Sequence, residues 1–209
     1  MNPCSRASAD DAGGTSLRIL GIDPGTLRLG YGVVECAGNG AAKVDRVGSR
    51  RALLAADHRG REWEPSQGSH LKYVECGVIS ASARHARPVR LAEIGRGLRE
   101  LMTELRPDAV AMEEAFHGAN VQSALALGEA RGVAIFVAAE QGLTVTGYPP
   151  ATVKLAVVGH GRATKQQIGY LVRALLAMRR TPEPDAADAL AIAICHARRA
   201  PRRREGRRA

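Results

Sequence analysis

Residues 17–36 read LRILGIDPGTLRLGYGVVEC, two apolar runs parted by Pro24-Gly25. Both runs have strand character, and the tight Pro-Gly turn between them predicts an antiparallel hairpin. Alternation along the first strand puts Ile19, Gly21 and Asp23 on one face and Leu20 and Ile22 on the other. An acid at Asp23 therefore stands at the carboxyl end of a buried strand, where open α/β sheets place their sites. Taken alone, Asp23 also fits simple turn chemistry.

Downstream, LKYVECGVIS (71–80) resumes strand character. Pro88 opens a helix, with Leu91, Ile94, Leu98, Leu101, Met102 and Leu105 at helical spacing and Arg106-Pro107 as its stop. DAVAME (108–113) is a buried strand closed by Glu113, on the face opposite Val110 and Met112. A second helix runs from Asn120 to about Gln141, and LTVTGY (143–148) is a fifth strand. Helices over 150–158 and 164–179 follow, and Thr181-Pro182-Glu183-Pro184 introduces a last helix from Asp185 to about Arg199. The order β-β-β-α-β-α-β-α predicts an α/β fold, a mixed five-stranded sheet flanked by helices in which an antiparallel meander feeds a parallel crossover. One folded domain is expected over 17–197, interrupted by a Gly-, Arg- and Ser-rich insertion at about 37–70. A disordered leader (1–16) and a basic disordered tail (198–209) are expected on either side.

The 209 residues are 45% hydrophobic and 24% charged, a globular balance that excludes collagen-like and fully disordered classes. The net charge is +9, but from Arg198 onward seven arginines against Glu205 carry +6 of it, leaving +3 for residues 1–197. Charge alone is therefore a weak argument for nucleic acid. Cys4, Cys36, Cys76 and Cys195 form no CxxC pair, against zinc-ribbon and thioredoxin-like readings. Seven aromatics are too few for extended base stacking. No uninterrupted apolar run approaches the roughly 20 residues of a bilayer crossing, and the longest weakly polar stretch, Ala186–Cys195, carries Asp188. The leader has no apolar signal region. A cytoplasmic protein without a membrane role is expected.

Four acids look placed rather than scattered. Asp23 and Glu113 close buried strands. Asp185 and Asp188, spaced i, i+3 in DAADALAIAICH, share one face of the last helix. Asp185 also suits a helix cap, whereas Asp188 lies in an Ala-, Leu- and Ile-rich run where an unpaired anion is costly. Gathered in one pocket, four carboxylates repel one another and favour protonation; divalent cations relieve this, and all-oxygen ligand sets suit Mg²⁺ or Mn²⁺. Two ions in such a site serve phosphodiester hydrolysis.

GIDPGTLRLGYGVVE, AMEEAFHGANVQSALALGEARGVAI, VKLAVVGHGRATKQQI and PDAADALAIAICH, in this order, resemble the RuvC family of Holliday junction resolvases. With the joining segments the resemblance covers about 17–40 and 71–197. It implies an RNase H-like fold, a homodimer, Mg²⁺-dependent endonuclease action with two ions per subunit (Mn²⁺ as a substitute) and a four-way DNA junction as substrate. It places the metal-binding, catalytic acids at Asp23, Glu113, Asp185 and Asp188. Phe116 matches an aromatic that contacts bases near the exchange point, against a bare reading as core Phe. Lys154 and Lys165 match basic residues that bind DNA at the scissile phosphate, against a bare reading as surface charges. The family's dimer contact falls on the helix carrying Gly128 and Gly132, which fits close packing on its own sheet equally well. Association with the RuvA and RuvB branch-migration machinery is implied by family. His196 lies two turns beyond Asp188 and is given no role.

Three other readings stand beside this one. A YqgF-type RNase H-like nuclease acting on structured RNA shares the GIDxGTxRxG opening, but the PDAADALA block, the Lys blocks and the length argue against it. An actin- or sugar-kinase-type ATPase needs a second similar domain. A non-catalytic binder would work through the Arg tail.

Overall fold

Five strands, β1 (Ser16–Asp23), β2 (Arg28–Ala37), β3 (Leu71–Ser80), β4 (Ala109–Glu113) and β5 (Thr144–Tyr148), form a sheet in the order β3-β2-β1-β4-β5. The structure, a computed structural model, describes residues 16–37, 71–114, 121–159 and 164–199. The expected leader, insertion and terminal tail lie almost wholly outside these residues. Pairing is antiparallel from β1 through β2 to β3 and parallel from β1 through β4 to β5. The helices are α1 (Arg87–Leu105), α2 (Val121–Glu140), α3 (Pro150–Val158), α4 (Lys165–Leu175) and α5 (Pro184–Arg199). This is the mixed five-stranded α/β architecture that the periodicities predict.

β1 runs through the centre because both of its faces are apolar. Ile19 packs with Val34, Ala111, Leu190 and Ile194 under α3, α4 and α5. Leu20 and Ile22 pack with Val33, Val110, Met112, Ile94 and Leu98 under α1 and α2. These side chains are almost completely buried, each contributing about 1.5–3 kcal/mol of transfer free energy. α1 ends where Arg106 turns to φ 46° and its N–H donates to Met102 O at 3.0 Å, before Pro107. The expected helix over 164–179 stops earlier, at Leu175. Ala177 adopts φ 49° and Met178 N donates back to Arg173 O at 2.9 Å, a terminating wrap usually marked by glycine and here made without one. α5 continues through Arg199, and Arg198 donates a hydrogen bond to Ala156 O.

The glycines of the hairpin set how closely α5 lies on the sheet. Gly21 pairs with Gly32, and Gly30 with Asp23, across the β1–β2 ladder. A methyl group at Gly21 would strike the backbone of Ala189 and Ala193, at Gly30 the backbone of Asp185, and at Gly32 the Leu190 side chain and nitrogen. Without side chains there, the first half of α5 rests on strand backbone, which brings Asp185 and Asp188 down to the level of Asp23.

α2 is a second long apolar segment besides the Ala186–Cys195 stretch that stands out in the sequence. It is long and apolar enough to cross a membrane by length and composition. Its composition reflects two apolar faces. Ala130, Ala134, Val137 and Ala138 are buried, while Val121, Leu125, Ile135 and Phe136 are exposed. Gly128 and Gly132 lie on the exposed stripe, where an added Cβ meets nothing within 4 Å. The alternative of close packing between these glycines and the helix's own sheet is therefore not what the fold contains. Arg87–Glu129 (3.5 Å) and Arg99–Glu140 (2.9 Å) ion pairs tie α2 to α1.

Candidate active site

The last registered pair of the parallel β1–β4 ladder is Ile22–Met112. Asp23 and Glu113 come next, at the carboxyl ends of adjacent strands, and both are half-buried. The first turns of α5 carry Asp185 and Asp188 to the same end of the sheet, with Asp185 against Gly30, the ladder partner of Asp23. Burial, together with the charges of Asp188, Glu113 and Asp185 and against that of Lys165, pushes the Asp23 carboxyl up to about 7. Burial and the Asp188 charge also raise Glu113, against Lys154 and Lys165. The four acids singled out in the sequence thus form one interacting group centred on Asp23.

Cations border this group. Lys165 opens α4, although a positive charge at a helix N-terminus opposes the macrodipole. The helix starts there because Thr164 and Gln167 form a reciprocal capping box, with Thr164 Oγ1 accepting from Gln167 N at 3.3 Å and Gln167 Oε1 accepting from Thr164 N at 2.9 Å. Lys165 Nζ then donates to Asp188 Oδ2 at 3.1 Å, a hydrogen bond that raises the Lys165 pKa. Lys154, on α3, is close enough to Glu113 to favour its charged form. Arg28 grips the other aspartate: its Nε donates to Asp185 Oδ2 at 2.7 Å and its Nη2 to Glu183 Oε2 at 2.5 Å.

Among the described residues, no three His, Cys, Asp or Glu side chains close around one point as an ion shell. Two of the four carboxylates are instead engaged by cations, Asp185 by Arg28 and Asp188 by Lys165. The donor chemistry nonetheless fits a hard divalent cation. The donors are all oxygen, and burial and neighbouring anions both raise the Asp23 pKa, a cost to its charged form that positive charge between the carboxylates reduces.

Phe116 lies outside the described residues. His196 is 7% exposed and belongs to the core: its Nδ1 is 3.0 Å from Tyr148 Oη, with the rings edge to face. Sequence reasoning missed Arg28 and also Arg131 of α2, whose Nη1 donates to Glu113 O at 2.6 Å. Arg28 sits two residues before Gly30 in the hairpin, but its partner is 157 residues away, so no local pattern marks it.

A family model described as crossover junction endodeoxyribonuclease RuvC matches residues 64–196. The crossover junction endodeoxyribonuclease RuvC of Chloroflexus aurantiacus is 41% identical over 186 residues, which is 88% of this chain and 95% of that protein. The structure of Thermus thermophilus RuvC in complex with a Holliday junction substrate superposes with a TM-score of 0.67 and 32% identity, over 87% of this chain and 93% of that one. The yeast mitochondrial Holliday junction resolvase shares the fold, with a TM-score of 0.51 and 14% identity over 87% of this chain and 79% of that one.

Proposed function

The chain belongs to the RuvC family of crossover junction endodeoxyribonucleases, with its RNase H-like fold, and from that premise we propose that it resolves four-way DNA junctions by paired, symmetric nicks in recombination and repair. Asp23, Glu113, Asp185 and Asp188 would hold two divalent cations, Mg²⁺ with Mn²⁺ as a substitute. Bound there, the ions supply charge neutralisation at the phosphate and a water acidic enough to attack it. The carboxylates fix the donor geometry. Lys165 and Lys154 face the scissile phosphate and offset the negative charge that grows on its oxygens. The P–O3′ bond breaks, leaving 5′-phosphate and 3′-hydroxyl ends. Phe116 contacts bases near the exchange point.

Paired nicks need two sites related by a two-fold axis, and we assign the self-association surface to the open stripe of α2. Val121, Leu125 and Phe136 are 74%, 60% and 58% exposed there, flanking Gly128 and Gly132. Two such helices can approach closely at the glycines and cover the apolar groups around them. The family relationship further suggests that the protein works in the cytoplasm with the RuvA and RuvB branch-migration complex.

The observation that carries this reading is the convergence of acids from β1, β4 and α5 at one end of the sheet, with Asp23 raised to about 7 by burial and by its neighbours. The test is cleavage of a synthetic mobile four-way junction with and without Mg²⁺. An Asp188→Asn protein is expected to bind the junction and leave it uncut; undiminished cleavage overturns the assignment.

A further inference from the structure

The β4 strand ends with a carbonyl that its ladder cannot satisfy. Glu114 N donates to Tyr148 O at 2.8 Å, so the peptide following Glu113 turns its N–H toward β5. Its carbonyl, Glu113 O, therefore points the other way, toward β1. With Ile22 opposite Met112, continuing the parallel ladder would supply the N–H of residue 24. That residue is Pro24, which has none. Arg131 of α2 fills the gap, with Nη1 2.6 Å from Glu113 O.

We propose that Arg131 is a positioning residue for the nuclease site: by replacing the donor that Pro24 lacks, it fixes the peptide that carries Glu113 and so aims the Glu113 carboxylate into the acid cluster. A guanidinium suits this role. It stays charged, its hydrogen bond to a carbonyl is stronger than a neutral one, and its planar head loses little freedom when held. Its place in the fold adds a coupling. Arg131 follows one helical turn after Gly128 and directly precedes Gly132, so the helix with the open apolar stripe is also the one that clamps the catalytic strand. Contact between two copies would thus bear on the placement of Glu113 in each.

The inference rests on Glu113 being one of the ion-holding acids, and the experiment separates the two claims. Mn²⁺ binding to full-length protein without DNA is measured by calorimetry for wild type, Arg131→Met, Arg131→Lys and Glu113→Gln. Sedimentation and thermal unfolding of each are recorded alongside. Arg131→Met keeps the apolar stem and removes the donor. It is expected to weaken Mn²⁺ binding on the order of tenfold, as loss of an outer partner of a metal ligand does, with the dimer retained. Arg131→Lys is expected to recover most of that loss, which a purely structural contribution to α2 would not explain. If Arg131→Met fails to fold, Arg131→Leu, which likewise lacks the donor, decides the matter: an ion affinity between wild type and Glu113→Gln supports the inference, and wild-type affinity overturns it. Wild-type Mn²⁺ affinity in a folded Arg131→Met, with Glu113→Gln impaired, overturns this inference alone. Unchanged affinity in Glu113→Gln overturns the reading of the site beneath it.

Discussion

Replacing Gly30 with alanine tests whether the spacing of α5 from the sheet sets the site. Gly30 does not need a positive φ, so the effect of the substitution is steric. A Cβ at this position would lie 2.5 Å from the Asp185 carbonyl carbon and 3.1 Å from its Cβ, and closer still to the carbonyl oxygen. Ordinary contact begins at 3.4 Å, so the first turn of α5 must withdraw by about 0.9 Å or more. The obstacle is backbone, which cannot rotate away as a side chain can. Overpacking of this kind costs about 1–3 kcal/mol. At about 2 kcal/mol, a domain of this size loses about 4–8 °C in melting temperature. The withdrawal carries Asp185 and Asp188 away from Asp23, and a misplacement near 1 Å costs roughly 10²-fold in rate. Circular dichroism through a thermal ramp and single-turnover cleavage of a synthetic junction at a temperature where the variant is folded would measure both. A Gly30→Ala protein that cuts at the wild-type rate would refute the idea that backbone contact between β2 and α5 sets the carboxylate cluster.

Gly128→Ala with Gly132→Ala adds two methyls that meet nothing within a protomer, and helix propensity favours each by about 1 kcal/mol, so helicity is retained. The double variant is expected to sediment as a monomer at micromolar concentration; an intact dimer would move the interface elsewhere. The Asp23 carboxyl keeps its proton up to about pH 7, whereas the unfolded chain releases it near 3.8. Between these values the unfolded state binds fewer protons, so the contribution of Asp23 to ion-free stability falls as pH rises and levels off above about 7. Mn²⁺ affinity is expected to climb over the same interval; the difference between wild type and Asp23→Asn isolates the effect, and a flat affinity between about pH 5.5 and 7.5 contradicts it. Tyr148→Phe removes the hydroxyl 3.0 Å from the buried His196 Nδ1 and is expected to cost about 2 kcal/mol in denaturant unfolding, with junction cleavage unaltered. Loss of cleavage in the folded Tyr148→Phe protein would mean that this pair serves the site as well as the core.

The strands, the helices and the four acids are legible in the chain because each rests on a short-range pattern. Alternation marks β1 and β4 and leaves Asp23 and Glu113 at their ends, and the i, i+3 spacing of Asp185 and Asp188 puts both on one helical face. Ordered blocks along most of the chain identify the family for the same reason: they are properties of sequence order. The end of α4 escaped this reading because Ala177, a residue with no turn signal, takes the left-handed conformation.

The rest needed tertiary structure. Which cation meets which carboxylate depends on strand order and helix docking, so Arg28 finds Asp185 across 157 positions and Lys165 finds Asp188 across 23. The glycines of the hairpin acquire their meaning only when α5 lies on them, and α2 shows a second apolar face only when the first is covered. The donor for Glu113 O follows from a register that leaves Pro24 opposite a carbonyl. Sequence order determined which residues are candidates for the chemistry, because local pattern fixes each element; the packing of distant elements decided what those residues touch, because that information is held by no single segment.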